Sequence, residues 1–132
     1  MFQFGAASIE NLNECHPDLI KVLSLAIQKS KIDFGVAKST KRTKEEQEEF
    51  VRTGKSKTMD SLHLIQKDGY RHAADIFAFI DGKVSYDAGK LRLIGQAIVT
   101  AAIECGVKIR LGMLWDTFMD MPHIELDRAY YK

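Results

Sequence analysis

Three kinds of side chain in this sequence can act on a polar bond: imidazole, carboxylate and guanidinium. The four histidines are His16, His63, His72 and His123. His63 follows a polar loop, in Ser61-Leu62-His63-Leu64. Asp75 stands at the mouth of the apolar run Ala74-Asp75-Ile76-Phe77, where a carboxylate desolvated alone is costly and needs a partner. His123 lies in Asp120-Met121-Pro122-His123-Ile124-Glu125-Leu126, with an acid three positions before it. Two imidazoles and one carboxylate make a zinc site that leaves a fourth position open. A second acid beside that position is what metal-assisted hydrolysis requires. Spacing alone does not select this reading, because a cluster of satisfied polar side chains would use the same residue types.

The elements that must carry these residues follow from periodicity and local signals. Pro17 suits a helix first turn, and Leu19, Ile20, Leu23, Ala26 and Ile27 recur at helix spacing until polar residues 28–31. Residues 34–37 read as a short strand. Thr43 and Glu46 form a capping box for a charged helix, which Gly54 is placed to stop. Residues 55–61 are mostly small or polar and read as a loop. Residues 74–80 suit a buried strand, Asp81-Gly82 a turn and residues 84–86 the returning strand. Asp87 can cap a helix lined by Leu91, Ile94, Ile98 and Ala101 or Ala102 and closed at Cys105-Gly106. Strands are expected at 108–111 and 123–126. Helices and short strands mix without a regular βαβ rhythm, so the expected class is α+β: a small, mostly antiparallel sheet with helices packed on it.

Length and composition bound the rest. A chain of 132 residues suits one domain, 1–132, and hardly two. With 45% hydrophobic and 28% charged residues, a core of ordinary size can form and extended disorder is excluded. Nineteen basic and eighteen acidic residues leave a formal charge of +1, so no global field draws the chain to nucleic acid or an anionic membrane. No window approaches a membrane span. Cys15 and Cys105 form no CxxC pair and read as two reduced, half-buried thiols. The N-terminus has neither a basic start nor a long apolar run, so a secretory signal is not expected and folding in a cytoplasm is.

Taken in order along the chain, Ser61-Leu62-His63, His72-Ala73-Ala74-Asp75-Ile76 and Asp120-Met121-Pro122-His123 resemble the motifs of the zinc peptidases that cut bacterial cell-wall peptides. That group contains D-alanyl-D-alanine carboxypeptidases and dipeptidases. The sequence is more closely similar to the L-alanyl-D-glutamate endopeptidases that bacteriophages use as endolysins. Arg42-Thr43, Gln47, Gly54-Lys55-Ser56, Pro17-Asp18-Leu19, Asp33-Phe34 and Trp115-Asp116 extend the likeness over nearly the whole chain. Two departures stand out. Residues 64–74 separate His63 from Asp75 by more than the family usually has, which reads as a small insertion widening a loop. Ser39-Thr40-Lys41 stand where a glycine usually precedes the Arg-Thr pair.

The resemblance implies a hedgehog/D,D-peptidase-like fold and a role for each site residue. His63, Asp75 and His123 would hold zinc; His72 as a ligand is the rival register. Asp120 would be the general base that takes a proton from water and passes it to the leaving amine. Its bland alternative is a turn residue before Pro122. Arg42 would stabilise the oxyanion, or clamp a substrate carboxylate such as that of a D-glutamyl residue. Ser61 reads as a support for a ligand or a hydrogen bond to substrate. Glu125 either orients a ligand histidine or faces solvent. Trp115 walls the cleft or belongs to the core. The basic residues Arg52, Lys55 and Lys57 attract anionic wall polymer or simply form a loop.

The implied function is therefore a zinc metallopeptidase that cuts the L-alanyl-D-glutamate bond of peptidoglycan stem peptides. It would be a monomeric phage endolysin, held in the host cytoplasm until a holin releases it to the wall in the periplasm. One rival is a D-alanyl-D-alanine carboxypeptidase or dipeptidase on the same scaffold. Another is a non-catalytic wall-binding module stapled by zinc.

Overall fold

The computed structural model describes residues 1–115 and 119–132. Helices α1 (Ala6–Leu12) and α2 (Pro17–Lys29) lead into strand β1 (Phe34–Val36) and helix α3 (Lys44–Arg52). A long loop follows, then the hairpin β2 (Ala73–Ile80) and β3 (Lys83–Ser85), helix α4 (Ala88–Cys105) and strands β4 (Ile109–Leu111) and β5 (His123–Leu126). The strands form one sheet in the order β1-β2-β5-β4, with β3 added beside β2, and every pairing is antiparallel.

Local rules account for most of these elements. Thr43 and Glu46 make the full capping box at the start of α3. Asp87 accepts from the Lys90 amide to cap α4, and Gly106 ends that helix in the left-handed conformation at φ 68°. Asp81 and Gly82 both take positive φ, 51° and 77°, as a two-residue hairpin turn between twisted strands requires. Helix α1 carries no side-chain cap and was not expected from periodicity. Its stability comes from docking. Ser8 Oγ accepts from the Val36 amide at 3.0 Å, and Asn11 Nδ2 donates to the Val36 carbonyl at 2.9 Å. Those two bonds cover the outer edge of β1, which would otherwise be exposed to stray pairing.

The sheet has two faces with different work. Ala74, Ile76 and Ala78 of β2 and Ile124 and Leu126 of β5 join one core with the apolar stripes of α2 and α4, including Leu19, Leu23, Leu91, Ile94 and Ile98. Burying each such Leu or Ile side chain contributes about 1.5–3 kcal/mol. Because strand side chains alternate, Asp75, His123 and Glu125 point to the opposite face. The eight-residue strand β2 also serves two neighbours. Its later half pairs with β1 and β3, and residues Ala73 to Asp75 pair with β5. In that second pairing Asp75 lies directly across from His123.

Candidate metal centre

The register of β2 against β5 brings the first two polar groups together, and the loop at 61–63 supplies the third. His63 Nε2 lies 3.1 Å from His123 Nδ1 and 3.2 Å from Asp75 Oδ1. His123 Nδ1 lies 3.4 Å from the same carboxylate oxygen. All three residues are buried. His72, the rival ligand, points elsewhere: its Nε2 sits 2.7 Å from Asp68 Oδ2.

The outward atoms of each group are already held. His63 Nδ1 faces the Thr40 carbonyl at 3.3 Å, and His123 Nε2 faces Glu125 Oε1 at 2.8 Å. With protons on those outer nitrogens, the inner ones present lone pairs. Asp75 Oδ2 accepts from Arg42 Nη2 at 2.9 Å and Ser39 Oγ at 2.8 Å. Asp75 Oδ1 is buried and has no hydrogen bond of good geometry. In that tautomer three acceptors converge on one point, His63 Nε2, His123 Nδ1 and Asp75 Oδ1. Such an arrangement is costly unless a cation occupies it, and the donor set of two nitrogens and one carboxylate oxygen suits zinc. The three form a group able to hold a metal ion.

The electrostatics of the protein alone follow the same logic. Burial works against ionised Asp75, yet the close approach of the His63 and His123 imidazoles, when they carry protons, holds its carboxyl well below the usual range. Burial also opposes charge on His123, but its contacts with Asp75 and Glu125 lift it to about 9. With no metal bound, a proton on His123 supplies part of the positive charge that the cluster requires, and a metal ion would take its place.

Asp120 stands at the edge of this cluster, its Oδ2 3.9 Å from His123 Nδ1. Burial and the charge of Asp75 raise its pKa, against the pull of His123, His63 and Arg42. Its backbone is tied down at both ends. The Asp120 amide donates to the Gly112 carbonyl at 3.1 Å, and its carbonyl accepts from the His123 amide at 3.2 Å. Gly112 itself passes so close that a Cβ there would lie 2.2 Å from the Asp120 carbonyl oxygen. No local sequence signal marks this glycine, because only the tertiary approach of two segments makes it necessary.

Arg42 is less open to a substrate than its sequence role suggests. Besides Asp75, it donates from Nη1 to Gln47 Oε1 and from Nε to the Ser39 carbonyl, both at 3.0 Å. Its guanidinium lies 4.3 Å from the centre of the Phe50 ring. Three of the five N–H groups of an arginine are thus committed to protein acceptors. In the sequence Gln47 is only one of the positions that match the family. It is fully buried, and its Nε2 donates to Ser56 Oγ at 2.9 Å and to the Thr58 carbonyl at 2.7 Å, tying Arg42 to the loop after α3.

The remaining positions divide by contact. Glu125 does not face solvent; it is buried against His123. Ser61 Oγ accepts from the His63 amide at 3.2 Å and so shapes the turn that aims His63. The Trp115 ring centre lies 5.1 Å from that of His123, and its buried Nε1 has no acceptor among the described residues. Asp116, beside it in the sequence, lies outside the described residues. The cluster, Arg42, Asp120 and Trp115 line a cleft of about 330 Å³, with Lys55 and Lys57 on its wall. Arg52 pairs with Glu49 instead. Cys15 is fully buried, not half-buried as expected, and Cys105 is intermediate; neither forms a disulfide.

This geometry can be set beside known proteins. The family of phage L-alanyl-D-glutamate peptidases matches residues 1–131. The chain belongs to that family. It is 29% identical over 131 residues to the L-alanyl-D-glutamate peptidase of Escherichia phage T5, covering 98% of this chain and 93% of that protein. It is also similar to the crystal structure of the L-Ala D-Glu endopeptidase ChiX of Serratia marcescens. There the TM-score is 0.88 at 38% identity, over 98% of this chain and 93% of the other. The α+β class read from the sequence, with its antiparallel sheet and packed helices in one small domain, matches the fold of that endopeptidase. Among the described residues no helix is long and apolar enough to cross a membrane.

Proposed function

We propose that this peptidase is a zinc-dependent endopeptidase that hydrolyses the L-alanyl-D-glutamate bond of peptidoglycan stem peptides. The observation that carries the reading is the buried, unpartnered Asp75 Oδ1 between two inward imidazole nitrogens, with Asp120 beside them on a cleft. His63 Nε2, His123 Nδ1 and Asp75 Oδ1 would hold the zinc. When bound, it supplies Lewis-acid polarisation of the amide carbonyl and lowers the pKa of water.

The chain's own residues do the rest. Glu125 and the Thr40 carbonyl fix the ring orientation of the two histidines. Arg42 neutralises the outer oxygen of Asp75 and keeps positive charge beside the cleft where an oxyanion develops. Asp120, with its raised pKa, accepts a proton from the attacking water. Addition of that water to the alanyl carbonyl and loss of the amide C–N bond yield an L-alanyl carboxylate and a D-glutamyl amine. Asp120 returns its proton to the departing amine. Trp115 and the Lys55 and Lys57 wall fit an extended anionic peptide.

In its biological setting we read the protein as a monomeric phage endolysin. It would stay in the host cytoplasm until a holin opens the way to the periplasmic wall, where its action leads to lysis. Mass spectrometry of purified peptidoglycan, digested with zinc and with a chelator, tests the reading. New N-terminal D-glutamyl products that vanish on chelation are expected. Release of D-alanine would reassign the substrate bond to the carboxypeptidase type. No cleavage of any common wall type by zinc-loaded protein would leave a binding module.

A further inference from the structure

The long loop between His63 and Asp75 ends in a buried cation that bonds to the backbone of two site residues. Arg71 is 8% exposed. Its Nη1 donates to two backbone carbonyls at once, those of Arg42 and His63, each at 2.6 Å. Its Nε and Nη2 reach Glu14 Oε1 at 3.2 and 3.1 Å. The backbone of Arg71 is gripped as well: its amide donates to the Glu14 carbonyl at 2.8 Å, and its own carbonyl accepts from His16 at 2.9 Å. The loop that presents it is closed by its own bonds, from Gln66 to the Tyr70 carbonyl, from Gly69 to the Gln66 carbonyl and from Tyr70 to Asp68 Oδ1.

The two carbonyls belong to residues that flank Asp75 from opposite sides. Arg42 holds Oδ2, and His63 Nε2 stands 3.2 Å from Oδ1. Neither residue lies in a strand or helix that could set its position through a ladder. A guanidinium is planar and rigid, so one nitrogen bonded to both carbonyls fixes the spacing of the two loops. Arg71 is not on the wall of the cleft. We propose that Arg71 is a positioning residue: from the extended loop it clamps the Arg42 and His63 backbones so that both side chains meet Asp75 in metal-binding geometry. The inference rests on the reading of His63, Asp75 and His123 as ligands.

The experiment is a zinc titration against a chromogenic chelator, run on the full chain and on Arg71→Met and Arg71→Lys, with melting temperatures alongside. Arg71→Met is expected to bind zinc about 10–100-fold more weakly, the range typical for partners that orient metal ligands. Its kcat should fall while KM for a stem peptide stays within about twofold, since a misplaced site loses rate before it loses binding. Arg71→Lys, which can still donate to the carbonyls but lacks the fork toward Glu14, recovers part of the loss. A purely structural role would lower the melting temperature of both variants and leave zinc affinity at the parent value, and that result overturns the proposal. Should Arg71→Met not fold, Glu14→Gln replaces it. That change removes the charge anchoring the guanidinium, and parent-like zinc affinity there is equally fatal. A parent chain that takes up no zinc defeats the metal reading itself, an outcome distinct from equal affinity in parent and variant.

Discussion

Gly112→Ala is a one-methyl change with a calculable effect on the site. A Cβ on Gly112 would lie 2.2 Å from the Asp120 carbonyl oxygen, 3.1 Å from its carbonyl carbon and 3.0 Å from His123 Cβ. Non-bonded carbon contacts settle near about 3.5 Å, so the Asp120 backbone must retreat by roughly 1 Å. The obstacle is backbone, not the tip of a mobile side chain, and the Asp120 amide N–H also donates a hydrogen bond to the Gly112 carbonyl. Forcing a methyl into such a contact costs about 1–3 kcal/mol of stability. The larger effect falls on chemistry, because a displacement of about 1 Å lowers a rate on the order of 100-fold. The assay is kcat and KM on a stem peptide, with zinc affinity and melting temperature measured on the same samples. Gly5→Ala, where the added carbon meets nothing within 4 Å, is the control and should keep full activity. If Gly112→Ala stays within about twofold of the parent in kcat, then the close approach of these two segments does not place Asp120, and the argument fails.

Asp120→Ala should fold, bind zinc and lose about 10²–10⁴ in kcat, the usual contribution of a general base; full activity would remove Asp120 from its role. Glu125→Ala strands the buried His123 Nε2 and should weaken zinc binding about 10–100-fold, read by the same titration. Burial pushes the Cys15 thiol up to about 12, so its thiolate is scarce at neutral pH and grows about tenfold per pH unit until that value. An alkylating reagent at pH 8 should therefore modify Cys105 alone in the native protein and both thiols in denaturant, counted by intact mass. Ile98→Ala empties a fully buried position on α4 and should cost about 2–5 kcal/mol in chemical denaturation with zinc affinity of the folded protein unchanged.

What could be read directly was whatever depends on near neighbours in the chain. The capping box of Thr43 and Glu46, the Asp81-Gly82 turn, the Asp87 cap and the Gly106 stop are contests among residues a few positions apart, and local rules decide them. The apolar stripes of α2 and α4 were legible for the same reason, since helix spacing puts one face on the core. The order of the chemical motifs marked His63, Asp75, Asp120 and His123, though not their distances.

Those distances belong to the tertiary structure. Asp75 meets His123 only because β2 and β5, far apart in the chain, pair in one register. Helix α1 has no sequence signal of its own and exists through its bonds to Val36. Arg42 looked like a group for the substrate, but folding brings Asp75, Gln47 and Ser39 to it first. Gly112 and Arg71 carried no motif at all. Each matters through a contact across the chain, a backbone approach in one case and two carbonyls from separate loops in the other. Local sequence determines which conformations each segment prefers; long-range packing decides which polar groups meet, and in this protein that meeting forms the site.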